Sequence, residues 1–378
     1  MVSFKELERR WKAVRAGMAQ QELDWIVCES TCTAARLAGL VRWFTDRWHL
    51  YKITVAFPIE GDIYCVTHGD LYRRMDSPGI KNLVKPYVQT LSGKASTGAD
   101  LLIDILQKSR PRKIGLVSYG TLSASTYLTL RESLPDAEFV DASDLVDEIK
   151  AVKSEEELSY IRRTAEIHDE IWEEVVLKSV KPGKTPAEVL RKAVMALMEK
   201  GGVGWWGRAS AAPPDRPCSY LGPSDREMKD GDVFVMLMEF SGPEGYYCEI
   251  VRNVCLGRVP KELEEAFDNV KEAQQRMVKK LVPGADPNEV LKESDALLRE
   301  KGYPTETRLA GHSQGLDLVE RPALSPLGET IKLKTNMVFA IHPTVYTEKV
   351  EANICDNYVV TDAGGKRLQR TPQEIFVV

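Results

Sequence analysis

Residues 181–202 read KPGKTPAEVLRKAVMALMEKGG, and residues 282–303 read VPGADPNEVLKESDALLREKGY. Pro182, Gly183, Pro186, Glu188, Val189, Leu190, Leu197, Glu199, Lys200 and Gly201 all recur 101 residues later, from Pro283 to Gly302. Two unrelated amphipathic helices would share a cap or a leucine. Ten matches at one offset, with the Pro-Gly punctuation included, indicate an internal duplication. Each copy follows a long helical pattern (156–178 and 260–280) and precedes strand-like sequence. Two such α-β units related by a pseudo-two-fold axis place a site between them.

Between the copies runs GDVFVMLMEFSGPEGYYCEIVRNVCLG, residues 231–257. Val233, Val235 and Leu237 alternate with Phe234, Met236 and Met238, which is the period of a strand, and Glu239 continues the Val235/Leu237 face. Ser241-Gly242-Pro243-Glu244-Gly245 is a turn, and Tyr246–Leu256 is the return strand. A mostly apolar central hairpin holds Glu239 and Glu249 near its turn. A buried carboxylate needs a partner, a proton or a metal. His312, His342 and Cys355 are the candidate partners.

Composition bounds the function. The 378 residues suit two domains. Lys+Arg is 51 against Asp+Glu 56, a net charge of −5, which argues against a general nucleic-acid binder. No apolar run reaches membrane-span length. The charged amphipathic start, MVSFKELERRWKAVRAGM, lacks a signal-peptide apolar region, so a cytoplasmic location is expected. The seven cysteines are scattered, with neither zinc-ribbon spacing nor a disulfide framework.

The first 150 residues read as an α/β domain. A helix is expected over 3–22, capped by Ser3 and Glu6. Strands are expected at 25–28, 51–57, 62–67, 114–117 and 138–140, with helices near 96–109 and 122–134. Residues 41–48 read as a loop, and 142–176 as one long charged helix at the domain boundary.

Several segments together resemble the creatinase/prolidase/methionine-aminopeptidase ("pita-bread") family, in its two-domain creatinase-like and Xaa-Pro-peptidase branch. They are the linker 145–158, Pro223-Ser-Asp-Arg226, Gly231-Asp232, Tyr247-Cys-Glu-Ile-Val-Arg252, Ala310-Gly-His-Ser-Gln-Gly-Leu-Asp317, Met337-Val-Phe-Ala-Ile-His-Pro343 and Val359-Val-Thr-Asp-Ala-Gly-Gly365. The resemblance implies an α/β N-terminal domain (residues 1–150) and an α+β pita-bread C-terminal domain (151–378) with internal pseudo-two-fold duplication, assembled as a homodimer.

The family's peptidases bind two divalent metals through two Asp, one His and two Glu. Carried onto this chain, those positions are Leu237 or Glu239, then Glu249, His312, His342 and Cys355. A further peptidase His falls near Ser219 or Tyr220, and a shuttle His falls at Val319. Bridging two hard cations takes carboxylates that share oxygens. His342 and Cys355 cannot bridge in that way. The resemblance therefore implies a creatinase- or ectoine-hydrolase-like enzyme that hydrolyses a C–N bond of a small amide or ureido substrate without metal or cofactor.

In that reading His312 is general acid/base with Glu249 and His342 as its catalytic partners, and Glu239, Tyr220, Cys355 and Arg47 bind substrate. Arg42 is the alternative to Arg47 as a carboxylate clamp reaching from the N-terminal loop. Trp205 and Trp206 are either an aromatic wall or core packing. Two rivals stand beside this reading. One is a mononuclear zinc or iron hydrolase or lyase using Glu249, His312, His342 and Cys355. The other is a binding protein that kept the pocket and lost catalysis.

Overall fold

The computed structural model describes residues 2–31, 39–46, 52–68, 88–93 and 98–378. These form two compact units, Met1–Lys150 and Ala151–Val378. In the first unit helix α1 (Phe4–Gln20) is capped by the Ser3 hydroxyl, which accepts from the Glu6 amide. Strands β1 (Trp25–Thr31), β2 (Lys52–Pro58), β3 (Ile63–His68), β4 (Val88–Gly93), β5 (Lys113–Val117) and β6 (Glu138–Asp141) form one sheet, ordered β4-β3-β2-β1-β5-β6. The β2–β3 pair is the expected antiparallel hairpin. β1, β5 and β6 run parallel, which the intervening helices α3 (Gly98–Ser109) and α4 (Ala124–Ser133) make possible.

Two expectations are corrected. The segment read as a loop at 41–48 is helical over its first part, within α2 (Gly39–Thr45), where Leu40, Val41, Trp43 and Phe44 are all buried. Arg42 is buried there too, so it offers no exposed clamp, and Arg47 lies outside the described residues. The expected long helix 142–176 is two helices, α5 (Ser143–Ala151) and α6 (Glu155–Ile171). Ser154 breaks it with a capping box: its hydroxyl accepts from the Glu157 amide, and the Glu157 carboxylate accepts from the Ser154 amide. The adjacent Lys153 is buried against Glu320 at 2.6 Å, anchoring the break to the second unit's own core.

The second unit carries the duplication. Helices α7 (Pro186–Glu199) and α8 (Lys261–Lys279), with α9 (Pro287–Glu300), flank the sheets. α7 and α9 both start on proline behind a capping side chain, Thr185 and Asp286. Before them Gly183 and Gly284 have φ of +78° and +84°, and after them Gly201 and Gly302 have +80° and +78°. These are left-handed positions where a side chain would be strained. The tertiary bonds repeat as well. The Met228 amide donates to the Lys184 carbonyl, and the Leu333 amide donates to the Ala285 carbonyl. The recurring punctuation is thus a recurring backbone path.

Strands β7 (Gly204–Ala212), β8 (Val233–Ser241), β9 (Tyr247–Cys255) and β17 (Phe376–Val377) form a sheet ordered β17-β9-β8-β7. The second sheet, β11-β10-β12-β15-β16, contains β10 (Gly311–Ser313), β11 (Glu320–Leu324), β12 (Val338–Ile341), β15 (Asp356–Thr361) and β16 (Gly364–Arg367). β13 (Thr344–Tyr346) and β14 (Glu351–Asn353) make a short ribbon. Every residue of β8 and β9 is buried, which explains their near-continuous apolar character. Phe234, Met236, Met238 and Phe240 pack toward Trp172 and Val189. Val233, Val235 and Leu237 pack with Val251, Phe267 and Val270. The functional face is the second of these, where the apolar row ends in Glu239.

Candidate active site

The β8–β9 register sets Glu239 directly opposite Glu249. Both are nearly buried and line a cavity of about 310 Å³. Its other polar walls are His312, His342, Tyr220, Arg308, Thr344 and Asn353, with Trp206, Leu237, Leu309 and Val319 among the apolar ones. Trp206 therefore forms the aromatic wall, whereas its neighbour Trp205 packs against the apolar core on the other face.

His312 sits mid-strand on β10, paired with Ala340 of β12. Gly311 before it is required by packing, since a Cβ there would lie 2.7 Å from the Ala340 carbonyl oxygen. His342 follows β12 at the same end, its amide donating to the Ala310 carbonyl. The two imidazoles stand with ring centroids 5.2 Å apart. His312 Nδ1 lies 3.1 Å from the Ser313 carbonyl, which can only accept. Nδ1 is thus the protonated nitrogen, and Nε2 faces Glu249 Oε2 at 3.5 Å. That oxygen is buried and has no shorter hydrogen bond among the described residues. Two groups that would both accept face each other there. A hydrogen-bond donor, such as a water, or a cation has to reach both of them.

The two carboxyls are driven apart in acidity. Burial first, then the adjacent Glu249 carboxylate, push Glu239 well above the ordinary range, so Glu239 keeps its proton and donates it to Glu249. Burial also opposes ionisation of Glu249, but His342, His312 and the Cys355 thiol outweigh it and hold it at about 2. Burial pushes His342 down to about 4, so its ring is neutral at neutral pH. The backbone of Glu249 is fixed from behind. Its amide donates to Asn357 Oδ1 (2.7 Å), Gln369 Nε2 donates to its carbonyl (3.0 Å), and Asn357 in turn donates to Gln314 Oε1 (2.7 Å).

Of the residues singled out from sequence, His312, Glu249, His342, Glu239 and Tyr220 converge on this cavity. Cys355 is a correction. It is fully buried, bridged to Val251 and absent from the cavity lining, so its thiol lies behind the wall beside Glu249 rather than meeting a substrate. Burial, then the Glu249 charge, push its pKa well above that of an ordinary thiol, and its Sγ is not among the donor atoms that converge on the cavity. Val319, where the family's shuttle His would fall, lines the cavity as an apolar, half-exposed residue.

Sequence reading missed Arg308, Thr344, Asn353 and Gln314. Gln314 sat inside the quoted GHSQG run and has one donor 3.5 Å from Glu239 Oε1. Arg308 had no signal beyond standing four residues before His312. Its place in the cavity depends on Tyr220, which is remote in sequence.

The donor set decides what metal the pocket fits. A dinuclear centre does not fit: Leu237 is apolar, His342 offers one nitrogen, Cys355 does not line the cavity, and of the two carboxyls that do line it only Glu249 stands among the converging donors. A single ion does fit. Donor atoms of Glu249, His312 and His342 lie within 4.8 Å of one another, and two imidazoles with one carboxylate suit zinc or iron.

Comparison with known proteins follows the same lines. Residues 159–362 match the model of metallopeptidase family M24, and residues 10–152 match the creatinase/prolidase N-terminal domain. A Xaa-Pro dipeptidase of Pyrococcus furiosus is 29% identical over 268 residues, covering 68% of this chain and 74% of that protein. The ectoine hydrolase of Halomonas elongata is 26% identical, over 98% of this chain and 96% of that protein. The solved dipeptidase PepE of Mycobacterium ulcerans superposes with a TM-score of 0.82 at 22% identity, covering 100% of this chain and 99% of that one.

Proposed function

Since the chain belongs to metallopeptidase family M24 and carries its creatinase/prolidase-type N-terminal domain, we propose that it hydrolyses a C–N bond, amide or ureido, in a small substrate, in the manner of the creatinase- and ectoine-hydrolase-like members and without a metal. The observation that carries this reading is the His312–Glu249 pair on the cavity wall, with one ring nitrogen committed to the Ser313 carbonyl and the other aimed at a buried carboxylate oxygen.

In this mechanism a water enters between the pair and the substrate carbonyl. His312 Nε2 takes the water's proton while the oxygen attacks, and Glu249 stabilises the imidazolium that forms. The new C–O bond gives a tetrahedral intermediate. The proton then passes from Nε2 to the leaving nitrogen as the C–N bond breaks. Glu239, protonated, holds Glu249 in place by donating to it. His342, neutral, is placed to donate to or accept from the reacting group. The apolar walls restrict water.

A second reading rests on the three converging donors. Bound by Glu249, His312 and His342, a single zinc or iron ion would supply Lewis-acid activation of water. Elemental analysis of protein purified without chelator decides between the two. Substoichiometric metal, with hydrolysis retained in EDTA and lost in His312→Asn, supports the first reading, and one ion per chain supports the second. Assembly as a homodimer is part of the same proposal, tested by light scattering in solution. Among the described residues no helix is long and apolar enough to cross a membrane.

A further inference from the structure

The ladder of the hairpin sets how closely Glu239 and Glu249 approach. The Gly242 amide donates to the Tyr246 carbonyl, and the Leu256 amide donates to the Asp232 carbonyl, so the even-numbered positions of β8 carry the hydrogen-bonded pairs with β9. Glu239 and Glu249 are therefore a non-hydrogen-bonded pair, the kind with Cα atoms about 4.5 Å apart and side chains closest. The Glu249 amide and carbonyl point outward, away from β8, and need partners from elsewhere. Two positions on either side, backbone serves: the Tyr247 amide donates to the Gly315 carbonyl at 2.7 Å, and Val251 exchanges bonds with Cys355. At Glu249 two side-chain amides take that place, Asn357 Oδ1 accepting from its amide and Gln369 Nε2 donating to its carbonyl.

These amides are fully committed. Gln369 Nε2 also donates to Asn357 Oδ1 at 2.9 Å, and Gln369 Oε1 accepts from the Asn357 amide at 2.8 Å. Asn357 Nδ2 donates to Gln314 Oε1, and Gln314 Nε2 donates to the Leu318 carbonyl at 3.2 Å and stands 3.5 Å from Glu239 Oε1. Turning any one amide over would set oxygen against oxygen and N–H against N–H, so each has one satisfied orientation. All three side chains are buried, and none is among the described residues lining the cavity. Gln369 is itself moored by the next two residues, because the Asp169 carboxylate of α6 accepts from the Arg370 and Thr371 amides and the Thr371 hydroxyl.

We propose that Gln369, Asn357 and Gln314 are positioning residues, a chain of amides that runs from the Glu249 backbone to the Glu239 carboxyl and holds both side chains on the cavity wall. Only the catalytic consequence rests on the hydrolase reading above. Without Gln369 the Glu249 carbonyl is a buried acceptor with no donor, and Asn357 loses the partner that fixes its own amide. Glu249 then drifts relative to His312, and misplacement of a reacting group by about 1 Å costs on the order of a hundredfold in rate.

The first arm of the test needs no substrate. Hydrogen exchange is followed by mass spectrometry on the full chain, in peptides covering 247–251 and, for reference, 204–212. Gln369→Met should speed exchange in 247–251 by about tenfold or more and leave 204–212 unchanged. Gln314→Met frees Asn357 from the other side, should speed it by about threefold, and serves where Gln369→Met does not fold. Tyr358→Phe removes a hydroxyl bonded to Gln274 from the opposite face of the same strand, and should lower the melting temperature while leaving 247–251 unchanged. The second arm is steady-state kinetics on the substrate that a C–N panel identifies. Gln369→Met should lower kcat by about ten- to a hundredfold and change KM by less than about threefold. Adding Gln314→Met should cost much less than the product of the two single losses, since both act through Asn357. Unchanged exchange in 247–251 in the folded variants overturns the proposal. So does an equal change in Tyr358→Phe, or losses in kcat that multiply in the double variant. Faster exchange in Gln369→Met with kcat unaltered, or with no hydrolysis by the original chain, counts against the hydrolase reading alone.

Discussion

Replacing Glu249 by glutamine keeps the side chain's shape and removes its charge. The backbone should not move, since Asn357 and Gln369 hold the Glu249 amide and carbonyl from behind. What is lost is the anion 3.5 Å from His312 Nε2. Two unit charges at that separation interact by about 5 kcal/mol at an effective dielectric of about 20. That energy is available only when His312 carries the proton in flight, so it falls on the transition state and not on the bound substrate. Positioned acid-base groups typically contribute about two to four decades of rate, equivalent to roughly 3–5 kcal/mol. The two figures meet. Glu249→Gln should therefore lower kcat by about two to four decades, with KM changed much less. Steady-state kinetics on whichever C–N substrate a panel identifies is the assay, with melting temperature as the control for folding. A folded Glu249→Gln enzyme within tenfold of the original kcat would refute the proton-transfer role. A parallel fall in bound metal would move the result to the single-ion reading.

Other outcomes follow from neighbouring residues. Glu239 is raised in the folded state, first by burial and then by Glu249, so its contribution is fully present below the unfolded value near 4.5 and is lost as pH rises toward its folded value. Glu239→Gln donates to Glu249 without needing a proton and should show less loss of thermal stability between pH 5 and 9 than the original chain. Glu249 has the opposite sign: depressed to about 2, it stabilises above the ordinary carboxylate range, and that support disappears as pH falls toward 2, which an acid-denaturation series on Glu249→Gln should show as a shallower slope. Arg252 is fully buried, donating to Asp356 (2.6 Å) and to the Cys355, Val251 and Pro372 carbonyls. Arg252→Met should cost about 3 kcal/mol, the low end for a broken buried pair because Arg367 still reaches Asp356, and lower the melting temperature by about 6–12 °C in calorimetry. Cys355 should resist iodoacetamide in the native state and react after denaturation, since it is fully buried and held as a neutral thiol.

The two repeats were legible in the sequence because backbone conformation left a residue-level trace. Gly183 and Gly284, Gly201 and Gly302 occupy positions with positive φ, where side chains are strained, and Pro186 and Pro287 sit where helices begin. The β8–β9 hairpin was legible through its alternation and turn. The register of Glu239, left between two alternatives by the sequence, became definite once each β8 residue had a named partner on β9. The break at Ser154 could have been read from its capping box, but the unbroken run of helix formers around it hid the signal.

Chain chemistry by itself determined the architecture, the duplicated unit and the pool of His and Glu side chains at the site. Tertiary structure alone decided which of them meet. The fully buried Cys355 thiol stands outside the group of converging donors, although its position in the resemblance is a metal position. An arginine in an unremarkable run becomes a cavity wall because Tyr220, 88 residues earlier, accepts its hydrogen bond. Local pattern records backbone geometry and burial at each position. Charge, protonation and ligand geometry depend on contacts between segments remote in sequence, and those exist only after the sheets have closed around the hairpin.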